Sequence, residues 1–154
     1  MAKKIGPGDA VFTTNFSFFA TTEVISLLGA TPIFIDIDES TFNINPQLLE
    51  LEINRVIKEE KLNPRAIISV DLFGLLADYN EIEGISRKFN LFLIEDAAQS
   101  FGATYNNKKA CSFGDASATS FYPAKPLGCY GDGGAVFTDD DNLADICKSI
   151  RVHG

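Results

Sequence analysis

Tryptophan is absent, and histidine (His153) and methionine (Met1) occur once each. One histidine cannot build a zinc cage with Cys111, Cys129 and Cys147 at any usual spacing, and no CxxC pair occurs, so no metal site is expected. Three scattered cysteines argue against a disulfide framework and fit reduced thiols in a cytoplasmic protein. No apolar run reaches the roughly 18 residues of a membrane helix. The start, MAKKIGPG, carries two lysines with no apolar core behind them and does not read as a signal peptide. Positive charge is scarce: 13 Lys and Arg stand against 21 Asp and Glu, a net charge of −8. A phosphate-binding surface should show a basic stripe, so nucleic acid is not an expected partner. Neither GxxxxGK[ST] nor a GxGxxG after the first strand occurs, which removes nucleotide hydrolases and Rossmann-type oxidoreductases as strong rivals.

What is present is an ordinary globular composition, 45% hydrophobic and 22% charged over 154 residues, enough for one sizeable core. Strand and helix patterns alternate. Asp9 to Phe16 reads as a strand, and residues 20–29 as a helix that Thr21 or Thr22 could cap and Gly29 stops. Residues 31–38 form a second strand. Asn45-Pro46 looks like an N-cap with proline at N1, opening a helix to about Lys61 with apolar positions at Leu48, Leu49, Leu51, Ile53, Val56 and Ile57. Residues 66–72 read as a strand, 79–89 as a helix closed by Asn90, and 91–96 as a buried parallel strand ending in acids. Ala103 to Cys111 reads as a short hairpin turning at Asn106-Asn107, and residues 139–151 as a last helix with acids first and bases last. The alternation predicts an α/β domain, a largely parallel sheet with helices on both faces. No repeat, low-complexity tract or linker divides it.

The chain is organised around residues 117–134. They begin as a strand, break at Pro123, hold Lys125 between two prolines, pass Gly128, Gly131 and Gly133, and re-enter a strand at Ala135. A loop lysine is ordinarily a solvated charge. Here it sits in a stiff, glycine-flanked loop, and the strand ending at Asp96 offers a carboxylate. In open α/β sheets, ligands bind beyond the carboxyl ends of strands. A lysine and an aspartate held there match the needs of pyridoxal phosphate: an amine for the Schiff base and an acid for the pyridine nitrogen. Taken alone, Asp96 could equally be a turn or cap residue after a strand. Glu95 points to the opposite face and is not a candidate.

The segments IEDAAQSFGA (94–103), TSFYPAKPLGCYGDGGAVFTDDD (119–141), RVHG (151–154) and FSFFATTEVISLLGATPIFIDIDESTFNI (16–44) resemble the DegT/DnrJ/EryC1/StrS family of sugar aminotransferases, over about Gly6 to Gly154. Within it, KPLGCYGDGGA looks most like enzymes aminating a UDP-2-acetamido-3-oxo-glucuronate. The resemblance implies the large-domain core of a fold-type-I pyridoxal-phosphate-dependent transferase, one domain over residues 1–154, cut at both ends and without a second domain. It implies a keto sugar on a nucleotide as acceptor, an amino-acid donor such as glutamate, a role in polysaccharide or amino-sugar biosynthesis, and a homodimer. Lys125 would hold the cofactor and Asp96 its pyridine nitrogen. Gln99 would lie beside the phenolic oxygen, and Ser120 would give its hydroxyl to the phosphate. Phe18 would stack on the ring, with Phe19 facing away or packing in the core. The family's phosphate turn and a loop from the partner subunit have no counterpart in this sequence. Two other readings remain: an inactive fragment or regulatory binding module of the same fold, and a sugar dehydratase relative, which replaces the lysine. His153 reads as structural or solvated.

Overall fold

The structure, a computed structural model, describes residues 1–152; His153 lies outside the described residues. Six strands make the main sheet, in the order β2 (Thr31–Ile35), β1 (Asp9–Thr14), β3 (Asn63–Val70), β4 (Phe92–Asp96), β7 (Ala116–Ser120), β8 (Gly134–Phe137). The first five run parallel and β8 is antiparallel to β7. The crossovers are α1 (Phe19–Leu27), α2 (Pro46–Glu59) and α3 (Tyr79–Phe89), and α4 (Asp141–Val152) follows β8. A small hairpin, β5 (Thr104–Tyr105) and β6 (Lys108–Lys109), stands apart, turning through Asn106 and Asn107 at positive φ.

Local chemistry fixes the element ends. Ala30 N–H bonds Ile25 O and Gly29 N–H bonds Ser26 O at the end of α1, a pairing that requires Gly29 at φ 75°. Asn45 Oδ1 accepts from Gln47 and Leu48 N–H, with Pro46 opening α2. Asn90, at φ 53°, closes α3.

Side-chain alternation divides the sheet into two faces. Phe12, Ile35, Ile67 and Leu93 pack against Leu49, Ile53 and Val56 of α2 and Tyr79, Ile82 and Ile85 of α3. Tyr79 stacks on Phe113 with centroids 4.3 Å apart. In α2 only Leu49, Ile53 and Val56 of the six expected apolar positions are buried; Leu48, Leu51 and Ile57 look outward. The opposite face carries Val11, Ala66 and Ile68, packed with Ile25 of α1 and with Ile94. Leu143 of α4 lies over Ala116, Ala118 and Val136 on that same face. Asp96 belongs to this α1 side, since it shares the half-buried alternation of Phe92 and Ile94 while Leu93 and Glu95 are buried on the other. No described helix is long and apolar enough to cross a membrane.

Candidate active site

β4 and β7 are parallel neighbours, with Asp96 paired to Ala118. Both therefore release their chains at the same edge of the sheet. Asp96 is the last residue of β4, and the loop carrying Lys125 leaves β7 at Phe121. Ser120, two residues beyond Ala118, falls on the same face as Asp96.

The Asp96 carboxylate is held from both sides. Thr21 donates its hydroxyl to Oδ2 at 2.7 Å, and Ala98 N–H donates to Oδ1 at 3.2 Å. The turn role expected of an isolated aspartate is thus real, but it occupies one oxygen only. Thr21 reaches it because the first turn of α1 lies over the end of β4. Its expected capping role is not what the fold uses: the N-cap is Phe18, with no side-chain cap, and Thr21 spends its hydroxyl on an acid 75 residues away. Ser17 Oγ lies 3.2 Å from Thr21 Oγ1, extending the chain of hydroxyls. Sequence reasoning missed Thr21, because one hydroxyl in a helix's first turn signals a cap and nothing local signals a distant partner.

Gln99 sits in the turn after β4, where its Oε1 accepts from Phe73 N–H at 2.7 Å. That bond consumes the carbonyl end and leaves the amide N–H groups as donors. Phe73 adopts φ 56°, a left-handed conformation that costs a bulky residue energy. Ser120 Oγ accepts from Tyr122 N–H at 3.2 Å, so its own proton is available to another group. Phe18 is 70% exposed at the start of α1. Phe19, expected to face away or enter the core, does not pack in the core: it is 69% exposed, because the face of α1 turned to the sheet is taken by Thr21 and Ile25. Phe16, Phe42 and Phe73 bring exposed rings together at the same edge, with centroids 5.8–6.5 Å apart.

The Lys125 loop is tied at its neck. Phe121 N–H bonds Gly133 O at 2.7 Å, and Phe121 O accepts from Cys129 N–H at 2.8 Å. Lys125 N–H closes a turn on Tyr122 O at 2.8 Å, and its side chain is half-buried. A Cβ on Gly128 would run into the Pro123 carbonyl oxygen and lie 2.9 Å from its carbon and 3.1 Å from Cα, and all three atoms are proline backbone, which cannot swing aside. Gly128→Ala is therefore expected to open the loop and cost about 1–3 kcal/mol, the usual range for overpacking. Urea denaturation gives the cost, and faster chymotryptic cleavage between Phe121 and Tyr130 reports the opening. Unchanged cleavage would show that the neck tolerates the methyl.

Behind the site, on the α2/α3 face, lie two fully buried carboxyls, Asp71 and Glu95. Asp71 Oδ1 accepts from Tyr79 O–H at 2.8 Å and Ala77 N–H at 3.2 Å, and Oδ2 from Ser100 O–H at 2.7 Å. Glu95 accepts from Cys111 N–H at 2.7 Å and Phe113 N–H at 3.0 Å. Burial pushes Glu95 up to about 7, with the charge of Asp71 adding to it, and burial raises Asp71 as well. The same burial holds Tyr79 well above its usual range and lifts the Cys111 thiol to about 11. Near pH 7 Glu95 is therefore about half protonated, where ordinary surface acids have lost their proton.

A mixed, mostly parallel sheet with an acid and a lysine loop at adjacent strand ends defines an α/β transferase core of the fold-type-I kind. The chain belongs to the DegT/DnrJ/EryC1/StrS aminotransferase family, whose model matches residues 1–154. It is 50% identical over 154 residues to a UDP-2-acetamido-2-deoxy-3-oxo-D-glucuronate aminotransferase of Pseudomonas aeruginosa, spanning all of this chain and 41% of that protein. A crystal structure of a family aminotransferase from Brucella abortus superimposes on the whole chain with TM-score 0.99 at 55% identity, 41% of that chain being covered. NtdA from Bacillus subtilis, solved with bound cofactor PMP, matches 99% of this chain and 33% of its own with TM-score 0.83 at 34% identity. The chain thus spans about two-fifths of the length of the Pseudomonas and Brucella relatives.

Proposed function

We propose that this chain is the pyridoxal-phosphate-binding core, residues 1–154, of a cytoplasmic aminotransferase that transfers an amino group to a nucleotide-linked keto sugar, a UDP-2-acetamido-3-keto sugar. The donor is an amino acid such as glutamate, and the protein works as a homodimer in polysaccharide or amino-sugar biosynthesis. The observation that carries the reading is the Asp96 carboxylate, fixed by Thr21 at the end of β4 beside the loop that carries Lys125. The acceptor class follows the Pseudomonas relative, and the cofactor follows NtdA, whose PMP is the amino form of pyridoxal phosphate. The exposed Phe16, Phe42 and Phe73 at the site's edge support a partner subunit there.

The donor set suits this cofactor group by group. Asp96 has lone pairs left, beyond those used by Thr21 and Ala98, for the N–H of a protonated pyridine. Gln99 keeps amide donors for a phenolate, Ser120 keeps a hydroxyl proton for a phosphate oxygen, and Phe18 offers an exposed ring face. Acceptors meet the cationic atom and donors meet the anionic ones, which is the sense electrostatics requires. When bound, pyridoxal phosphate supplies a carbonyl carbon that exchanges amino groups and a protonated ring that draws off electrons. The residues do the rest. Lys125 Nζ is the point of attachment and the amine that holds or releases a proton beside the reacting carbon. Asp96 would keep the ring nitrogen protonated, and Phe18 would offer its exposed ring to stack on the cofactor.

The test uses the protein at its natural length, with pyridoxal phosphate, L-glutamate and a UDP-2-acetamido-3-keto sugar acid. Mass spectrometry is expected to show the keto group converted to an amine, with 2-oxoglutarate formed in equal amount. A protein that binds pyridoxal phosphate yet leaves both glutamate and keto sugar unchanged would overturn the reading of substrate. A protein that binds none would overturn the reading of the site.

A further inference from the structure

Most hydroxyls at the carboxyl edge of the sheet serve the backbone. Thr14 Oγ1 accepts from Phe16 N–H, Thr41 Oγ1 from Asn43 N–H, Ser120 Oγ from Tyr122 N–H. Thr21, like Ser100 toward Asp71, instead gives its hydroxyl to an acid. It is 7% exposed, lies inside a helix, and points its hydroxyl across the interface between α1 and β4 at an acid. Its backbone N–H is already satisfied by Phe18 O, so the side chain has no local duty.

We infer that Thr21 is a positioning residue for Asp96, and that Ser17, Thr21 and Asp96 form a directed hydroxyl chain that fixes one carboxylate rotamer and keeps that oxygen supplied with a proton donor. This deepens, and rests on, the reading of Asp96 as partner of the pyridine nitrogen. The direction follows from proton counting. An ionised carboxylate only accepts, so Thr21 must give its single proton to Oδ2. Thr21 Oγ1 can then only accept from Ser17, which leaves Ser17 as donor in the 3.2 Å contact. Each bond polarises the next, and a donor bound to a charged acceptor is worth more than one between neutral groups. Ala98 N–H pins the second oxygen. With both oxygens bonded from opposite sides, the carboxylate cannot rotate about its χ2 bond without losing both bonds. It therefore presents its remaining lone pairs in one direction. A threonine in a helix can also turn its hydroxyl to the carbonyl three or four residues back; Thr21 gives it to Asp96 instead.

Groups of the same role placed by chance at a strand end would vary in orientation with the turn that follows. Here the orientation is taken from a separate helix. Small displacements of α1, which also carries Phe18 at its N-cap, are thereby transmitted to the acid that would partner the ring nitrogen. One helix end thus sets two of the five candidate cofactor contacts.

Three variants of the protein at natural length test this: Thr21→Val, which keeps the shape and deletes the hydroxyl; Thr21→Ser, which restores it; and Ser17→Ala, which removes only the upstream donor. The readouts are the dissociation constant of pyridoxal phosphate, the pH titration of its bound near-visible absorption band, and kcat against KM for the keto sugar. Thr21→Val is expected to weaken cofactor binding and lower kcat by roughly ten- to a hundredfold, the scale of a hydrogen bond to a charged group, with KM nearly unchanged. Its absorption band should titrate at a pH displaced from that of the wild type, because the carboxylate facing the ring nitrogen loses both its fixed direction and one donor. Thr21→Ser should recover to within about threefold, and Ser17→Ala should show a smaller loss of the same kind. If Thr21→Val binds the cofactor with wild-type affinity and an unshifted titration, the positioning role is wrong while the cofactor site stands. If the wild type itself takes up no pyridoxal phosphate, the site reading fails and this inference falls with it. Should Thr21→Val not fold, Ser17→Ala, at a half-buried position outside the helix, decides alone: an unshifted titration there overturns the chain.

Discussion

Lys125→Ala, made in the protein at its natural length, is expected to leave folding intact and to reduce amino transfer at least about a thousandfold, the scale on which enzymes lose activity when the residue making the covalent bond is removed. The fold should survive because the Lys125 side chain makes no ion pair among the described residues, and its loop is held through backbone bonds at Phe121, Tyr122, Cys129 and Gly133. Lys125→Arg should be equally inactive, since a guanidinium stays protonated and forms no C=N bond with a carbonyl. Borohydride added to the wild type with pyridoxal phosphate should fix the pyridoxyl group on Lys125 and on no other lysine. Lys3 and Lys4 lie near the amino terminus, Lys58, Lys88 and Lys148 on helices, Lys61 just past the end of α2, and Lys108 and Lys109 in the small hairpin. Asp96→Ala should still be trapped at Lys125 but turn over slowly, because the ring loses the acid that keeps its nitrogen protonated. Peptide mapping of the reduced adduct decides: a label on another lysine, or an active Lys125→Ala protein, would refute the assignment.

A second large effect is expected in stability against pH. Glu95 titrates near 7 in the fold and near 4.5 as a free side chain, so the folded chain binds its proton more tightly than the unfolded one. A carboxyl raised in this way favours folding fully below about 4.5. Its contribution declines as pH rises from there to about 7 and is flat above. At roughly 1.4 kcal/mol per unit, the span amounts to about 3 kcal/mol. The groups facing it are Asp71, whose carboxyl is also raised, Tyr79 and Cys111, all neutral or acidic; no cation is among them. Ser69 and Ser117 flank Glu95 in register on the two neighbouring strands, and neither hydroxyl has a hydrogen-bond partner. Glu95→Gln removes the titration. It should be less stable than the wild type at pH 5, by about 1–3 kcal/mol, because its amide cannot accept from both Cys111 and Phe113 N–H. By pH 8 that gap should close or reverse. Urea melts of the two proteins at intervals from pH 4.5 to 8 measure the difference, and parallel curves would refute the assignment of the slope to Glu95.

Much of the architecture could be read from residues with local meaning. Asn45-Pro46, Gly29, Asn90 and Asn106-Asn107 each have a conformational preference strong enough to mark an end or a turn, and each does so. Strand alternation correctly put Glu95 and Asp96 on opposite faces. What could not be read were bonds whose partners are far apart in sequence. Thr21 looks like any first-turn threonine until β4 passes beneath it, and the carbonyl of Gln99 is claimed by Phe73, 26 residues earlier. Asp71 carries no sign of burial in the motif around it, yet three donors from Ala77, Tyr79 and Ser100 converge on its carboxylate. The outward turn of Leu48, Leu51 and Ile57 was hidden for the opposite reason, since apolar character reads as core whether or not the sheet has room for it.

The antiparallel direction of β8 has a consequence in time. The parallel pairs are closed through longer connections, three of them containing the helices α1, α2 and α3, and long closures are slow. β7 and β8 are joined only by residues 121–133, a local closure of the kind that forms in about 1–10 μs once the strands meet. Contact order thus predicts early closure of the loop bearing Lys125, with Asp96 and Thr21 meeting only once α1 and β4 have docked, an order that pulsed hydrogen exchange during refolding would read.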